Sequence, residues 1–280
     1  MTGYRGRIAP SPTGYLHIGH AMTFWRAQER VQQSGGKLVL RIEDLDDDRC
    51  RTEFRDAIVE ELHWFGLRWD EGPDMGGSFA PYVQSERREI YLAVWKKLRD
   101  AALIYPCTCS RRDVLQSASA PHHEGEEPVY PGTCRLESGT ISDLDSPAGH
   151  NWRFRVPDAE ALQFVDQRLG TQLAIAGVDF GDFIIWRKDH VPAYQLAVVA
   201  DDDAMEITEV VRGADLLLST FRQLLIYRAL GLRAPRFYHT KLIADSTGKR
   251  LAKRHASLSL RELRNSGAEP EQLRRIYLSS

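Results

Sequence analysis

The sequence predicts an α/β fold, in which a doubly wound parallel sheet is interrupted by an inserted domain and followed by a short helical C-terminal segment. Two observations support this prediction. Apolar runs typical of buried strands alternate with amphipathic helical stripes through residues 1–105 and again through residues 191–234. Between these halves, residues 106–190 are rich in loops and short alternating strands, which indicates an insertion. Residues 235–280 carry a basic loop and a helical tail.

The alternation within the first half predicts two strands and three helices. The strands are expected at residues 4–9 and 37–42, and the helices at residues 21–31, 54–65 and 85–103. The last two helices carry apolar stripes at helical spacing, formed by Phe54, Ile58, Leu62 and Phe65 and by Ile90, Val94, Leu98 and Ala102. Later in the chain we predict strands at residues 152–156 and 194–200, and a helix at residues 215–230 that ends at Gly231.

Composition sets limits on the class of protein. The chain has 280 residues, 42% of them hydrophobic, and a formal net charge of −2. No apolar run approaches the roughly 20 residues that a membrane-spanning helix needs, so we expect a cytoplasmic protein without a membrane partner. We also expect a monomer. The small net charge neither supports nor excludes nucleic acid as a partner, because a basic surface could still be local.

A phosphate site is predicted where the first strand passes into the first helix. There, His17 and His20 stand on either side of Gly19. A helix N-terminus offers backbone N–H groups and the positive end of the helix dipole, both of which favour phosphate. Gly19 would let a ligand approach the backbone, and the imidazoles add hydrogen-bond donors. Taken alone, the same pattern is also typical of ordinary surface histidines.

A second motif makes the interpretation more specific. Residues 248–255 form a basic loop that contains Arg250 and Lys253. The two motifs together resemble those of the class I aminoacyl-tRNA synthetases. Four other segments resemble the glutamyl branch of that family, namely residues 7–14, 41–44, 84–87 and 211–215. Glutaminyl enzymes typically show Glu-Pro-Asn where this chain has Ser-Pro-Thr at residues 11–13, so the resemblance favours glutamate over glutamine.

The resemblance runs from about Arg7 to about His255, and 26 residues follow Arg254. A full glutamyl-tRNA synthetase would continue into a helical domain that reads the anticodon, and 26 residues are too few to bury such a core. We therefore expect no anticodon-binding domain. This shortened architecture, with residues 194–199 and 212–217, resembles the glutamyl-queuosine tRNA(Asp) synthetase family. It implies a Rossmann-like catalytic domain with an inserted, zinc-bearing, acceptor-binding-like domain.

The resemblance also implies a reaction. L-Glutamate would be activated with ATP and Mg²⁺ to glutamyl-adenylate and then transferred to the queuosine base of tRNA(Asp). The catalytic residues would be His17, His20 and Lys253. The residues that bind ATP would be His17, Gly19, His20, Arg250 and Lys253. Such catalysis depends on positioning and charge stabilisation and needs no protein nucleophile. Two alternatives stay open: a minimal glutamyl-tRNA synthetase that charges a tRNA 3′ end, and a non-catalytic paralogue that binds tRNA or glutamate.

Glutamate presents two carboxylates and one ammonium, so its pocket needs two arginines and an acid. The resemblance implies a pocket formed by Arg7, Ala9, Ser11, Glu43, Tyr194 and Arg212. We assign the side-chain carboxylate to Arg7 together with the Tyr194 hydroxyl, the other carboxylate to Arg212, and the ammonium to Glu43. A structural alternative is an internal ion pair between Arg7 and Glu43 on adjacent strands.

Cysteine spacing in the insertion predicts a structural Zn²⁺ site. Cytosolic disulfides are unfavoured, and thiolates suit zinc, which takes four tetrahedral ligands. Three of these would be Cys107, Cys109 and Cys134. The spacing alone does not supply the fourth ligand. The family resemblance implies Tyr130, whereas zinc chemistry by itself favours a histidine such as His122 or His123. Free thiols in a decayed site are the alternative.

Two positions of the basic loop depart from the family pattern. Arg250 stands where Lys is frequent, and Ala252 stands where Ser is frequent, while Lys253 is retained. Loss of the serine hydroxyl would weaken phosphate contacts, so we expect an active enzyme of modest rate.

Overall fold

The structure is a computed structural model that describes residues 3–110, 112–114, 129–135, 144–242 and 259–278. Its main sheet has six strands, in the order β2-β1-β8-β9-β5-β6. These strands are β1 (Arg5–Ile8), β2 (Lys37–Leu40), β5 (Ala161–Asp166), β6 (Gly170–Ile175), β8 (Glu209–Gly213) and β9 (Arg236–Thr240). A second sheet has the order β3-β4-β7, formed by β3 (Ile104–Cys107), β4 (Asn151–Phe154) and β7 (Phe183–Trp186).

The helices of the described residues pack against these sheets, except that the two C-terminal helices pack against the first two helices. They are α1 (Ile18–Ser34), α2 (Thr52–Phe65), α3 (Arg88–Asp100), α4 (Tyr194–Ala204), α5 (Leu217–Ala229), α6 (Leu260–Asn265) and α7 (Pro270–Leu278). One apolar core lies among α1, α2, β1 and β2, and it also receives Leu260 and Leu273 from the C-terminal helices. A second core joins α3, α4 and α5 to the smaller sheet. No helix within the described ranges is long and apolar enough to cross a membrane.

The main sheet is parallel from β2 to β5, and only its edge strand β6 is antiparallel. This confirms the predicted α/β class, with a mixed sheet. Helix α1 follows β1 and leads to β2 on one side, whereas α5 follows β8 and leads to β9 on the other side. The connections therefore diverge between β1 and β8, and in open α/β sheets a crevice at the carboxyl ends of the strands forms at such a point.

Most predicted elements are present, with shifted ends. Helix α1 begins three residues earlier than predicted, because His17 caps it: the His17 Nδ1 accepts a hydrogen bond from the Gly19 N–H at 3.2 Å. The helix ends at Gly35, whose φ of 61° lies in the left-handed region that favours glycine. The helix predicted at residues 85–103 begins as a 3₁₀ turn over Gln84–Glu86 before α3.

The strand predicted at residues 194–200 is wrong, because this segment is helix α4. The eight residues at 195–202 are all buried, so the apolar run has no exposed face that could show a helical period. A fully buried helix and a fully buried strand look alike in sequence for this reason. The helix places Asp201 and Asp202 in the interior, where both pair with arginines.

The β5–β6 hairpin belongs to the main sheet, although in sequence it lies between β4 and β7 of the smaller sheet. Strands β5 and β6 fall within the range 106–190 that we assigned to an insertion, and yet β5 pairs with β9 in the main sheet through Asp166 and Phe237. The domain boundaries at residues 105, 190 and 234 stay a prediction.

Candidate active site

A cavity of about 660 Å³ opens at the carboxyl ends of β1 and β8. All nine predicted glutamate- and ATP-binding residues that the structure describes line it: Arg7, Ala9, Ser11, His17, Gly19, His20, Glu43, Tyr194 and Arg212. They come from β1, the following loop, the start of α1, the segment after β2, the start of α4 and β8. The sheet thus brings together residues that are up to 205 positions apart in sequence, from Arg7 to Arg212.

Arg250 and Lys253 lie outside the described residues. The chain on either side of them does contact the cavity region. Lys241 and Leu242 line the cavity. On the other side, Ser259 forms a β-bridge with His17, and the Leu260 N–H donates to the Leu16 carbonyl at 2.7 Å. The described residues that flank the basic loop are therefore both anchored beside the predicted phosphate site.

Arg7 lies on β1 and is buried. Its Nη1 donates to the Val211 carbonyl at 3.1 Å, and its Nε lies 3.4 Å from Asp202 Oδ1. The alternative of a direct Arg7–Glu43 ion pair is wrong, because Glu43 Oε1 instead accepts from Arg41 Nη2 at 2.9 Å. Arg7 is held by β8 and α4, and its guanidinium faces the cavity.

Charged side chains that sequence reasoning missed lie behind this pocket and contact Arg7 and Glu43. Arg41 is fully buried and lies 2.7 Å from Asp202 Oδ1 and 3.7 Å from Asp201 Oδ2. Arg87 pairs with Asp201 at 2.6 Å. Buried ions are costly unless they are paired and hydrogen bonded, and here each ion has partners. The carboxylates embedded in the apolar run at residues 194–204 were the available signal.

Glu43 is the acid of the pocket. Burial raises the pKa of its carboxyl above the usual value of 4.5, while the positive charges of Arg41 and Arg7 oppose that shift. One oxygen is occupied by Arg41. The carboxylate lies on the wall of the cavity, where it can accept a hydrogen bond from a ligand cation.

Arg212 approaches the pocket from β8 and is buried. Its Nη2 donates to Thr220 Oγ1 at 2.7 Å, its Nε to His239 Nε2 at 3.3 Å, and its Nη1 to the Tyr194 hydroxyl at 3.4 Å. Tyr194 therefore contacts Arg212 directly, whereas the sequence predicts that it acts with Arg7. Thr220 and His239 carry no motif signal in the sequence, because the contact of Thr220 with Arg212 depends on the position of α5, and that of His239 on the pairing of β8 with β9.

The start of α1 supplies the phosphate side of the cavity. His17 and His20 both line it, and the main-chain N–H of His20 donates to the His17 carbonyl at 2.9 Å. A Cβ added at Gly19 would make only an ordinary 3.5 Å contact, with His17 Nδ1. The protein itself therefore tolerates a side chain there, and a requirement for glycine would come from a ligand.

A cluster of three cysteines and one tyrosine, separate from the cavity, lies at the end of β3. The sulfurs of Cys107, Cys109 and Cys134 lie within 4.8 Å of one another, and the Tyr130 hydroxyl lies 3.4 Å from Cys107 Sγ and 3.5 Å from Cys109 Sγ. Four ligands about 2.3 Å from a tetrahedral zinc would be roughly 3.8 Å apart. These four atoms have nearly that spacing, so the donor set fits a metal.

The thiols of this cluster differ in acidity. Burial raises the pKa of Cys109 to about 11. Burial also acts to raise the pKa of Cys134, but hydrogen bonds from Tyr130 and from the Thr108 main chain outweigh it and lower this pKa to about 7. The Tyr130 oxygen accepts from the Cys134 main-chain N–H at 3.0 Å, which orients the phenol toward the sulfurs. His122 and His123 lie outside the described residues.

An α/β crevice lined by two arginines, an acid and two histidines at a helix start is the kind of site in which an enzyme binds a ligand that carries both charges. Comparison with known proteins agrees. A profile of the tRNA synthetases class I (E and Q), catalytic domain, matches residues 4–278. The chain belongs to this family of ligases.

Individual relatives narrow the similarity further. The chain is 48% identical to a glutamyl-Q tRNA(Asp) synthetase of Nitratidesulfovibrio vulgaris, over 94% of this chain and 82% of that protein. It is 45% identical to a protein of the same name from Symbiobacterium thermophilum, over 95% and 83% of the two chains. A crystal structure of a glutamate tRNA ligase from Elizabethkingia meningosepticum, in complex with its amino acid, superposes with a TM-score of 0.77 and 32% identity. That match covers 90% of this chain and 52% of the solved one, so this chain spans about half its length.

Proposed function

We propose that this protein activates L-glutamate with ATP and transfers it to the queuosine base of tRNA(Asp). The glutamate α-carboxylate would attack the α-phosphorus of ATP, forming glutamyl-adenylate and releasing pyrophosphate. A hydroxyl of the acceptor would then attack the activated carbonyl and release AMP. The names of the two bacterial relatives support the acceptor, and the geometry of the cavity supports the amino acid.

The observation that carries the proposal is the charge pattern of the cavity. Two arginines, Arg7 and Arg212, and one acid, Glu43, face the same space. Glutamate carries two carboxylates and one ammonium, so the three charges of the site complement the three charges of the ligand. Glutamine has a neutral amide in place of one carboxylate and would leave a buried arginine without its ionic partner, which disfavours it.

Roles follow for the remaining residues. Arg7 would hold the side-chain carboxylate, Arg212 with Tyr194 the other carboxylate, and Glu43 the ammonium, with Ala9 and Ser11 completing the wall. His17, Gly19 and His20 would meet the phosphates of ATP beside the N-terminus of α1. We assign phosphate contacts also to Arg250 and Lys253, and a catalytic role to Lys253. Mg²⁺ bound with ATP would neutralise phosphate charge.

We further propose that the cluster of Cys107, Cys109, Tyr130 and Cys134 holds a structural Zn²⁺. Three thiolates suit a closed, four-coordinate zinc site, which needs one further ligand. The position of the Tyr130 hydroxyl, in contact with two of the sulfurs, favours this residue as the fourth ligand. Arg153 donates to Cys107 Sγ at 3.2 Å and would offset part of the negative charge of the thiolates.

The decisive experiment is ATP-dependent transfer of labelled glutamate to two tRNA(Asp) preparations, one with queuosine and one from cells that cannot insert it. Labelling of the modified pool alone is expected. Glutamate-dependent pyrophosphate exchange without transfer to either pool would refute queuosine as the acceptor. Charging of unmodified tRNA(Glu) would favour the minimal glutamyl-tRNA synthetase, and absence of exchange would favour the non-catalytic paralogue. Lys253→Ala serves as the matched inactive control.

A further inference from the structure

We propose that Asp166 and His239 form a positioning pair that fixes the guanidinium of Arg212, and thereby sets how the pocket grips a carboxylate of its amino acid. Neither residue lines the cavity; both act through Arg212. The inference rests on the proposed function for the identity of the ligand, and on the contacts behind Arg212 for the pair itself.

Asp166 is the last residue of β5 and is buried. Its Oδ1 accepts from the main-chain N–H groups of Arg168 at 3.0 Å and Leu169 at 2.8 Å. Its Oδ2 accepts from the His239 main-chain N–H at 3.1 Å and lies 2.7 Å from His239 Nδ1. A carboxyl that receives this many donors is held in its ionised form. Burial acts to raise its pKa, but these hydrogen bonds outweigh burial and lower it.

The ionised carboxylate determines the tautomer of His239. A carboxylate can only accept, so the imidazole must carry its proton on Nδ1, and the neutral ring then presents a lone pair at Nε2. This lone pair faces Arg212 Nε at 3.3 Å and Thr220 Oγ1 at 3.1 Å. A second proton on Nε2 would point at the guanidinium. Burial and the charge of Arg212 both lower the pKa of His239, which keeps the ring neutral.

His239 and Thr220 therefore fix two edges of the Arg212 guanidinium. Nε is aligned by His239 Nε2, and Nη2 donates to Thr220 Oγ1 at 2.7 Å. The Phe237 ring lies against the guanidinium, with its centroid 5.4 Å from the central carbon. The third nitrogen, Nη1, lies beside the Tyr194 hydroxyl on the cavity wall. The plane of Arg212 is thus set before any ligand arrives, which lowers the ordering cost of binding.

The pair also ties the β5–β6 hairpin to the amino-acid pocket. Asp166 belongs to this hairpin, and the Nε of Arg168, in its turn, donates to the His239 carbonyl at 2.6 Å. The Gln167 N–H donates to the Phe237 carbonyl at 2.8 Å. A displacement of the hairpin would therefore move His239 and, through it, Arg212.

Two substitutions at one position separate the two hydrogen bonds of the imidazole. His239→Asn keeps a donor near the Nδ1 position for Asp166 and loses the acceptor that faces Arg212. His239→Gln can place its amide oxygen near the Nε2 position and keeps that acceptor. Pyrophosphate exchange is measured for both variants, with KM for glutamate, KM for ATP and kcat determined separately.

We expect His239→Asn to raise the glutamate KM about tenfold, as loss of a hydrogen bond to a charged group implies, and to leave the ATP KM within about twofold. His239→Gln should raise the glutamate KM by no more than about threefold. A purely structural role would shift both KM values together, or lower the unfolding temperature of both variants with unchanged KM values. Either pattern, or equal glutamate KM values for the two variants, would overturn the proposal.

A second measurement does not depend on the reaction. The imidazole nitrogen chemical shifts of His239 in the ¹⁵N-labelled full chain should show the neutral Nδ1–H tautomer at pH 7, and Asp166→Asn should shift it toward Nε2–H. An Nε2–H or doubly protonated ring in the unsubstituted protein would overturn the positioning pair even if glutamate is activated. Absence of glutamate-dependent exchange together with the Nδ1–H tautomer would instead refute the proposed function and keep the pair.

Discussion

At the scale of single residues, the interior of this protein contains a network of linked charges. Arg41 contacts Asp202, Asp201 and Glu43, and Asp202 also approaches Arg7. Each arginine that faces the pocket is therefore backed by acids or hydrogen-bond acceptors that lie deeper. This arrangement holds the guanidinium groups in place without using the surfaces that would meet a ligand.

Glu43 provides the first test at this scale. Glu43→Gln removes the negative charge that we assign to the substrate ammonium and leaves the shape of the pocket intact. We expect the glutamate KM to rise by at least about tenfold, since a charge-assisted hydrogen bond is lost. Steady-state pyrophosphate exchange measures it. Glu89→Gln, an exposed position on α3, is the matched control and should leave KM unchanged. An unchanged KM in Glu43→Gln would contradict the assignment.

Glu71 provides a test of stability against pH. Its two oxygens accept from Arg5 Nη1 at 2.8 Å and Nη2 at 3.2 Å, and these hydrogen bonds lower its pKa from 4.5 to about 2. A depressed carboxyl pKa contributes stability above pH 4.5 that is lost as the pH falls toward 2. From the size of the shift, we expect Glu71→Gln to cost roughly 3 kcal/mol of unfolding free energy at pH 7.

The difference between Glu71→Gln and the unsubstituted protein should shrink as the pH falls from about 4.5 toward 2, because the unsubstituted carboxylate becomes protonated there. Urea unfolding at several pH values measures it. A difference in unfolding free energy that stays constant across this window would contradict the depressed pKa.

At the scale of elements, the sequence was most informative where a helix or strand has one exposed face. Helices α2 and α3 were predicted from apolar stripes. Ile58, Leu62 and Phe65 of the α2 stripe are buried, whereas α3 buries Tyr91, Trp95 and Leu98, so that only Leu98 of its predicted stripe is fully buried. Helix α4 was predicted as a strand, because burial on all sides removes the periodic signal. The β5–β6 hairpin shows a related limit, since its pairing with β9 depends on contacts between segments about seventy residues apart.

A close approach between two loops gives the test at this scale. A Cβ at Gly181 would lie 2.8 Å from the Tyr130 carbonyl oxygen and 2.9 Å from the Tyr130 nitrogen. Both neighbours are backbone atoms, so Gly181→Ala should push Tyr130 away from the cysteines. We expect the purified variant to bind zinc at least about tenfold more weakly, consistent with the effect of disturbing the surroundings of a metal site.

Competition with a chromophoric chelator measures the zinc affinity of Gly181→Ala. The matched control is Gly3→Ala, where the added Cβ meets no atom within 4 Å. Equal zinc affinity in the two variants would show that Tyr130 is not needed in the metal site.

At the scale of the whole molecule, the C-terminal helices return to the start of the chain. Leu260 of α6 is fully buried in the core that contains α1 and α2, and its N–H donates to Leu16 beside the predicted phosphate site. Arg261 Nη1 donates to the Tyr15 hydroxyl at 2.7 Å. These contacts hold the C-terminal segment after the basic loop against the residues that precede His17.

Leu260→Ala tests how much the packing of α6 against this core stabilises the fold. Removal of a buried leucine side chain leaves a cavity, so we expect a loss of about 2–5 kcal/mol in the free energy of unfolding. Ile276→Ala, on the exposed part of α7, should change it by less than about 0.5 kcal/mol. Chemical denaturation measures both. A Leu260→Ala variant as stable as Ile276→Ala would show that α6 contributes little to the fold.

The sequence by itself determined the α/β class and nine of the residues that line the cavity, among them the two histidines around Gly19. These are local signals: a helix start, a glycine and charged residues at strand ends are visible in short segments, and the family resemblance rests on the same segments. Nine predicted pocket residues accordingly meet in one cavity. The roles of Arg250 and Lys253 in binding ATP stay predictions, because both residues lie outside the described part of the chain.

Only the tertiary structure decided which partners hold these residues. Asp202 behind Arg7, and Asp166 and His239 behind Arg212, come from segments that are distant in sequence and adjacent only through strand pairing and helix burial. A buried ion pair leaves no periodic pattern, because its cost and its benefit depend on both partners and on the surrounding low-dielectric interior. Many residues of the pocket can therefore be predicted from the sequence, whereas the partners that position them depend on the assembled sheet.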